Sequence, residues 1–249
     1  MVILKSLQEI EKIRSASLIV ASALDGIRQL VRPGVNTLAL DEFAEKFILS
    51  AGGKPAFKGY RGYPKSLCTS VNEQVVHGIP SRDVVLNEGD LISLDIGVIV
   101  DGFYGDAAIT VPVGDISTEA KRLITVTEEA LARGIEAAAA GNRLFDISYA
   151  VQSHVESHGF SVVRDFVGHG IGSSLHEDPQ IPNFGERNRG PRLRPGMVLA
   201  IEPMVNAGGS STVVTEDGWT AVTADGSLSA HFEHTVAVMP EGPWILTRR

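Results

Sequence analysis

The chain has 249 residues, of which 43% are hydrophobic and 21% are charged, a composition typical of a folded globular protein. Its formal net charge of −8 at pH 7 argues against broad electrostatic capture of nucleic acid, which requires a surplus of lysine and arginine. Cys68 is the single cysteine, so the chain can form neither an internal disulfide nor a metal site built from several thiolates.

The N-terminal segment is charged and amphipathic, and it lacks the uninterrupted apolar core of a secretory signal. No stretch of the sequence approaches the roughly 20 apolar residues that a membrane-spanning helix needs. We therefore expect a soluble, cytoplasmic protein that binds neither DNA nor membranes.

Hydrophobic periodicity predicts four helices, arranged as two pairs. Proline, glycine and asparagine residues follow the apolar runs and mark where the helices end. Asn36 or Thr37 is suited to cap the second helix, and Ser117 the third. The predicted helices span about residues 7–31, 37–51, 117–140 and 144–158.

Each pair of helices is followed by short segments with strand-like apolar content, separated by glycine-containing turns. Two helices followed by mostly antiparallel strands, repeated once, imply a single α+β domain with two pseudo-symmetric halves, about residues 1–115 and 116–249. The predicted strands are Val84–Leu86, Leu91–Leu94, Val98–Val100 and Ile109–Val113, then Val162–Val163, Met197–Ile201, Thr212–Val214, Trp219–Thr223 and His234–Met239.

Three ordered sequence matches support the repeat. The segment L-N-E-G-D-L-I-S-L-D ends on a carboxylate, and so does L-R-P-G-M-V-L-A-I-E, 107 residues later. G-D-A-A-I-T-V resembles F-E-H-T-V-A-V, and V-V-H-G-I resembles V-G-H-G-I. The matched residues are Asp95 with Glu202, Asp106 with Glu233, and His77 with His169.

Asp95 and Asp106 lie on either side of a predicted hairpin turn. If the two-residue loop is Val100-Asp101, the two aspartates face each other; if it is Asp101-Gly102, Asp95 faces Ala108 instead. Residues two apart on a strand share a side, so both registers place the two carboxylates on one face of the sheet.

The four matched carboxylates and His169 form a candidate metal site. Neighbouring carboxylates in apolar surroundings repel each other, and a divalent cation removes that cost. Four acids balance the charge of two divalent ions, which favours a dinuclear site. The donors suit Mn²⁺, Fe²⁺ or Co²⁺ better than structural zinc, although zinc stays an alternative. Asp101 is interpreted as a turn residue, and His158 and His234 as ordinary packed or solvated histidines.

Several motifs identify a family that the chain resembles. They are C-T-S-V-N-E-Q-V-V-H-G-I-P (68–80), S-L-D-I-G (93–97), G-H-G-I-G with L-H-E-D-P (168–179), I-E-P-M (201–204), and D-G-W-T with F-E-H-T (217–235). In this order they are similar to type I methionine aminopeptidases of the short bacterial form, over about the whole chain. The resemblance implies the pita-bread fold, a curved antiparallel sheet flanked by helices. It also implies removal of the initiator methionine when the second residue is small.

The resemblance assigns a role to each candidate metal ligand. Asp95 would chelate one ion, while His169 and Glu202 would complete the other. Asp106 and Glu233 would bridge both ions. A water between the two ions would then attack the scissile carbonyl.

The same resemblance implies roles for residues around the metal centre. His176 would stabilise the developing oxyanion or position the scissile carbonyl. His77 would bind near the substrate's amide and assist its amine side, and Glu202 would handle the proton of the attacking water. The implied methionine pocket consists of Phe57, Tyr60, Tyr63, Cys68, Leu175 and Trp219, together with His77 and His176.

Three positions depart from the pattern of some relatives. Some relatives have cysteine at the position of Phe57 and phenylalanine at that of Leu175, so the pocket shape differs here. His231 replaces a more usual glutamine, and strand parity puts it on the same face as Glu233. We predict that His231 forms a hydrogen bond that supports a metal ligand.

Two alternative functions and one possible partner stay open at the level of sequence. An X-Pro peptidase of the same fold and a metal-free binding protein are the rival functions. Nascent polypeptide N-termini are the expected partners of a monomer. A cluster of basic residues in this acidic chain is expected either to contact ribosomal RNA near the exit tunnel or to form a solvated loop. The cluster consists of Arg187, Arg189, Arg192 and Arg194.

Overall fold

The computed structural model describes residues 2–248, which form an α+β domain with antiparallel strand pairing. The helices are α1 (Leu7–Leu30), α2 (Thr37–Ser50), α3 (Thr118–Ala137) and α4 (Leu144–Ser157). The strands are β1 (Lys54–Pro55), β2 (Cys68–Val71), β3 (Gln74–Val76), β4 (Leu91–Val100), β5 (Phe103–Pro112), β6 (Ser161–Val162), β7 (Val167–Gly170), β8 (Glu177–Pro182), β9 (Val198–Ile201), β10 (Met204–Asn206), β11 (Thr212–Val214), β12 (Ala221–Thr223), β13 (Ser229–His231), β14 (Glu233–Met239) and β15 (Gly242–Ile245).

The four predicted helices are confirmed, and three of them begin at side-chain caps. Ser6 and Glu9 form a capping box at the start of α1. Asn36 Oδ1 accepts a hydrogen bond from Ala39 N at 3.0 Å, and Ser117 caps α3 in the same way. The caps satisfy backbone N–H groups that have no partner within the first turn of a helix. No helix within residues 2–248 combines the length and the apolar content needed to cross a membrane.

The main sheet joins strands from both halves of the chain. Its order is β1-β4-β5-β14-β9-β7-β8, with β2 also paired to β4 and β15 to β14. Strands β5 and β14 meet in the middle, where Glu233 pairs with Ala108. The β4–β5 pair on one side therefore corresponds to the β9–β14 pair on the other, as the first two sequence matches predicted.

Each half of the sheet carries its own pair of helices. α1 packs on β4 and β5, and α2 packs on α1, which buries one continuous set of aliphatic side chains. α3 and α4 pack against each other, and residues of both contribute to a second cluster with β9 and β14. The helices thus cover one side of each half, while the carboxylates of the sheet lie at the seam between the halves.

The structure resolves the register of the β4–β5 hairpin. Val100 pairs with Phe103, so the loop is Asp101-Gly102 and Asp95 pairs with Ala108. Asp101 has φ 48° and Gly102 has φ 78°. Two consecutive left-handed residues define the type I′ turn, for which Asp-Gly is a preferred pair. The two aspartates still share one face, as expected for both registers.

The predicted strand Val84–Leu86 is wrong. Val85 forms only an isolated bridge with Asn36, and the neighbouring backbone hydrogen bonds go to the loop between α1 and α2. Val85 is exposed, so its apolar side chain does not mark a buried strand. Short strands such as β2, β7 and β8 were missed because they carry few consecutive apolar residues.

The third sequence match does not place its two histidines equivalently. His169 lies in β7, which pairs with β9 in the main sheet. His77 follows β3, which belongs to a separate three-stranded sheet with β11 and β12. In the first half, the strand beside β4 is β2. The likeness of the V-x-H-G-I segments is therefore local and does not reflect the repeat.

Candidate active site

A single pocket gathers the residues singled out in the sequence. It opens at the seam between the two halves of the main sheet. One side is acidic and the other is aromatic. Its lining residues are Phe57, Tyr60, Arg61, Tyr63, Cys68, His77, Asp95, Asp106, His169, Leu175, His176, Glu202, Trp219 and Glu233.

The main sheet supplies the acidic side of the pocket. Asp95 and Asp106 project from β4 and β5, Glu202 directly follows β9, and Glu233 begins β14. Thr235 Oγ1 accepts a hydrogen bond from the Asp106 backbone N–H at 3.1 Å, which ties β5 to β14 at this point. The carboxylates that four adjacent strands carry at or next to their ends and middles therefore meet in one pocket.

His169 reaches the same volume from β7, between two glycines that allow close backbone approach. A Cβ at Gly168 would lie 2.5 Å from the Ala200 carbonyl oxygen, and one at Gly170 would lie 2.1 Å from that of Asp178. His169 Nδ1 lies 2.9 Å from the Gly170 carbonyl oxygen, which can only accept. Nδ1 therefore carries the proton, and the Nε2 lone pair is free. His169 Nε2 lies 3.5 Å from Glu202 Oε1.

The donor atoms form two overlapping groups of metal-ligand type. One atom each of Asp106, His169 and Glu233 lie within 4.8 Å of one another, and the same holds for Glu202, His231 and Glu233. Asp95 belongs to neither group, although it lines the same pocket. Glu233 is shared, which suits a residue that bridges two ions.

In the absence of bound metal, burial raises the pKa values of the four carboxyl groups. It raises the pKa of Asp95 to about 7 and that of Glu202 to about 8. Burial and then the neighbouring carboxylates raise the pKa of Asp106 and Glu233 well above the ordinary range. Such shifts arise where like charges meet in a low dielectric, and they mark candidate functional sites.

Burial has the opposite effect on the histidines of the pocket, because it lowers their pKa values. Burial lowers the pKa of His169 to about 3 and that of His77 to about 4, so both rings are neutral at pH 7. Burial, and then Arg61, also lower the pKa of His176. A neutral imidazole is the form that can bind a metal or donate a single hydrogen bond.

The aromatic side of the pocket is mostly buried and apolar. The Tyr63 hydroxyl lies 3.1 Å from the backbone oxygen of Leu67 and 3.0 Å from that of Gly78, so its one hydrogen is shared between two backbone acceptors. The Tyr63 ring packs against the Trp219 ring, with centroids 5.1 Å apart. Burial raises the pKa of the Cys68 thiol well above its usual value, so the thiol stays protonated beside Asp95.

His176 is held at the mouth of the pocket by Tyr60. The Tyr60 hydroxyl lies 2.8 Å from His176 Nδ1, and the His176 ring lies beside that of His169, with centroids 4.3 Å apart. Arg61 is the pocket residue that the sequence analysis missed. Its position in the G-Y-R-G-Y segment, between two predicted pocket residues, was the available signal.

His231 lies close to Glu233, but it belongs to β13 in a separate three-stranded sheet and not, as strand parity assumed, to the strand of Glu233. His231 does not form the hydrogen bond predicted for it. Its Nε2 lies 3.6 Å from Glu202 Oε2, which is longer than a hydrogen bond. The ring is buried, and Nε2 has no hydrogen-bond partner within residues 2–248. Glu202 therefore sits between two imidazoles, those of His169 and His231.

Comparison with known proteins gives the family of the chain. A sequence profile described as metallopeptidase family M24 matches residues 11–240. A methionine aminopeptidase of Clostridium perfringens is 56% identical over 247 residues, covering 99% of each chain. Methionine aminopeptidase 1 of Bacillus subtilis is 52% identical, covering 100% of each. The chain belongs to metallopeptidase family M24, among its methionine aminopeptidases. It is a metal-dependent hydrolase with the pita-bread fold predicted for it.

Solved structures of the family agree with this assignment. The crystal structure of methionine aminopeptidase from Thermotoga maritima matches with a TM-score of 0.99 at 48% identity, covering 100% of both chains. Prolidase from Pyrococcus furiosus matches with a TM-score of 0.79 at 23% identity, and this chain covers 66% of it. The likeness to prolidase is one of fold alone.

The donors present in the chain fit the divalent ions that the family name implies. Asp95 Oδ1, Asp106 Oδ1 and Glu233 Oε1 are buried without a hydrogen-bond partner within residues 2–248. An unpartnered buried carboxylate oxygen is costly unless a cation or a donor meets it. His169 is already in the tautomer that a metal ligand needs, with its other ring nitrogen bound to a carbonyl.

Proposed function

We propose that this enzyme removes the initiator methionine from nascent polypeptides whose second residue is small. The observation that carries the proposal is that the acidic cluster and a set of buried apolar side chains line the same pocket. Cys68 pairs with Asp95 across β2 and β4, so the pocket wall and a metal donor are neighbours. A thioether packs well against aromatic edges and a buried thiol. A methionine side chain in this pocket would present its amide bond to the cluster.

Two divalent ions would be held by donors on four strands and β7. Asp95 would chelate one ion, His169 and Glu202 the other, and Asp106 and Glu233 both. When bound, such an ion pair lowers the pKa of a shared water and polarises a carbonyl. Manganese, ferrous iron and cobalt suit the carboxylate-rich set, and zinc is the alternative.

His176 would stabilise the negative charge that develops on the carbonyl oxygen. In the tautomer that this role requires, the Tyr60 hydroxyl, 2.8 Å from Nδ1, would donate to it, and the neutral His176 ring would carry its proton on Nε2. That N–H is then free to donate to the oxyanion as it forms. Tyr60 acts as a positioning residue, because it sets both the tautomer and the ring orientation.

His77 and Glu202 would serve the proton transfers. Glu202 lies beside His169, and as a carboxylate, once bound cations offset its burial, it would take the proton of the attacking water. The His77 ring packs edge-on against Phe166 and Trp219, with centroids 5.5 and 6.3 Å away. Held there, a neutral imidazole would contact the substrate amide and assist the leaving amine.

We place this activity in the cytoplasm, where nascent chains emerge, and propose a monomer as the active unit. Arg187, Arg189, Arg192 and Arg194 are all exposed, and we propose that they contact ribosomal RNA. Changing them to glutamate should reduce co-sedimentation with ribosomes at low salt. Undiminished co-sedimentation would leave the arginines as a solvated surface.

Peptide hydrolysis tests the proposed activity. The enzyme should release methionine from Met-Ala-Ser, and a chelator should abolish the release until a divalent metal is restored. Ala-Pro peptides should stay intact. Cleavage of Ala-Pro peptides but not Met-Ala-Ser would indicate an X-Pro peptidase, and no cleavage of either would indicate a binding protein.

A further inference from the structure

A second group of metal-ligand side chains lies on the helix pair of the second half. Glu129 is on α3, His154 is in the last turn of α4, and His158 is the C-cap residue that follows α4. One ligand atom of each residue lies within 4.8 Å of the other two. None of the three lines the active-site pocket. The group is therefore separate from the catalytic cluster.

The two histidines stand side by side because residues four apart share a face of a helix. Their ring centroids are 4.4 Å apart. Glu129 approaches from the packed neighbouring helix, with its Oε2 2.9 Å from His154 Nε2. The donors thus come from two helices rather than from one flexible loop.

His158 already has the hydrogen bond expected of a metal-bound imidazole. Its Nδ1 lies 2.8 Å from the His154 carbonyl oxygen, which can only accept, so Nδ1 carries the proton. The Nε2 lone pair is then available to a cation. Metal-bound histidines usually donate their other N–H to a carbonyl or carboxylate in this way.

His154 is held against Glu129 by a direct hydrogen bond. It is 7% exposed, and its Nε2 donates to Glu129 Oε2, because a carboxylate can only accept. A metal ion held here would replace that proton. Arg133 lines the same surface depression as His154. Arg122 is the other nearby cation, and it donates to the His158 carbonyl at 3.0 Å. The carboxylate of Glu129 offsets part of this positive charge.

We propose that Glu129, His154 and His158 bind a zinc ion that links α3 to α4. Two imidazoles and one carboxylate form a borderline donor set that prefers zinc to magnesium or manganese. Three protein ligands leave the fourth tetrahedral position to water. The proposal does not depend on the peptidase activity, and it gives His158 a role beyond that of a solvated histidine.

Zinc stoichiometry tests the proposal. The purified enzyme, His158→Ala, Glu129→Gln and the control Ser153→Ala would be equilibrated with micromolar zinc and analysed for metal per chain. Ser153 lies on α4 and is exposed, but it is not part of the group. We expect the wild type and Ser153→Ala to hold one zinc more per chain than the other two variants. Crystals should show an anomalous peak at the zinc edge between the three side chains.

Circular dichroism and unchanged methionine release would establish that the variants are folded. Zinc should also raise the thermal midpoint of the wild type more than that of His158→Ala. Equal zinc content in the wild type and His158→Ala would overturn the proposal. So would binding only at millimolar zinc, which would mark an adventitious ion, or an anomalous peak elsewhere on the helices.

Discussion

Lys5 and Glu177 form a buried ion pair that joins the N-terminal segment to the loop carrying His176. The side chains are only 4% and 8% exposed. Lys5 Nζ also donates to the Ile3 carbonyl at 3.1 Å, and Glu177 Oε1 accepts from the Ser174 backbone N–H at 3.2 Å. One carboxylate therefore connects a segment before α1 with the turn that precedes His176.

Lys5→Met should lower kcat for methionine release by about tenfold or more, because a small displacement of a positioned group costs much of its effect. KM should change less, since the apolar pocket is formed mainly by other segments. Leaving Glu177 buried and unpaired should also cost about 3 kcal/mol of unfolding free energy. Steady-state kinetics and urea unfolding would measure both.

Lys12→Met is the matched control, because Lys12 is an exposed lysine on α1. It should leave kcat and stability nearly unchanged. If Lys5→Met behaved like this control, the ion pair would have no part in positioning His176.

Tyr60→Phe should reduce kcat roughly fivefold, the factor that corresponds to losing one ordinary hydrogen bond of about 1 kcal/mol. The change removes the 2.8 Å contact to His176 Nδ1 and keeps the aromatic ring. His176→Ala should cost more, by about 100-fold, because it removes the oxyanion donor itself. In Tyr60→Phe/His176→Ala, the tyrosine change should add nothing further. An additive loss would show that Tyr60 acts independently of His176.

The positions of the helices could be predicted from the sequence, and so could the face of the sheet on which the carboxylates lie. Both depend on neighbouring residues only, through hydrophobic periodicity, helix caps and the alternation of side chains along a strand. Asn36 and Ser117 identify helix starts, and strand parity places Asp95 and Asp106 on one face whatever the register. The sequence analysis left two hairpin registers open. The structure selects the one with Asp101-Gly102 as the loop, in which both loop residues have a left-handed backbone, and an Asp-Gly pair favours that backbone. Contacts between distant segments, such as Lys5 with Glu177, have no local signal.

Metal-free enzyme should lose stability as pH rises from about 6.5 to about 8. Burial raises the folded-state pKa of Asp95 to about 7 and that of Glu202 to about 8. A raised carboxyl pKa contributes stability that is complete below the unfolded-state pKa and is lost as pH rises through the folded-state value. The buried histidines have lowered folded-state pKa values, so they add an opposing slope near their unfolded-state pKa of about 6.5, and this slope fades as pH rises towards 8.

Urea unfolding in chelator at several pH values would measure this slope, expected to be about 1 kcal/mol per pH unit or more. Saturating Mn²⁺ should remove it, because the cations neutralise the carboxylates. Metal-free protein that is equally stable at pH 6.5 and pH 8 would contradict the electrostatic account of the cluster.

His231→Gln should weaken binding of at least one divalent ion by about tenfold, the loss typical for residues that support metal ligands. The His231 ring lies 3.6 Å from Glu202 and has no other partner for Nε2 within residues 2–248. Isothermal titration with Mn²⁺ would compare this variant with the wild type. Identical affinities would remove His231 from the metal centre.

Metal content and methionine release, determined on the same preparation, test the central claim most directly. The account predicts that release from Met-Ala-Ser rises with the divalent metal bound per chain, and that Asp106→Asn and Glu233→Gln lose metal and activity together. Full activity in metal-free enzyme, or variants that lose activity while binding the normal amount of metal, would contradict it.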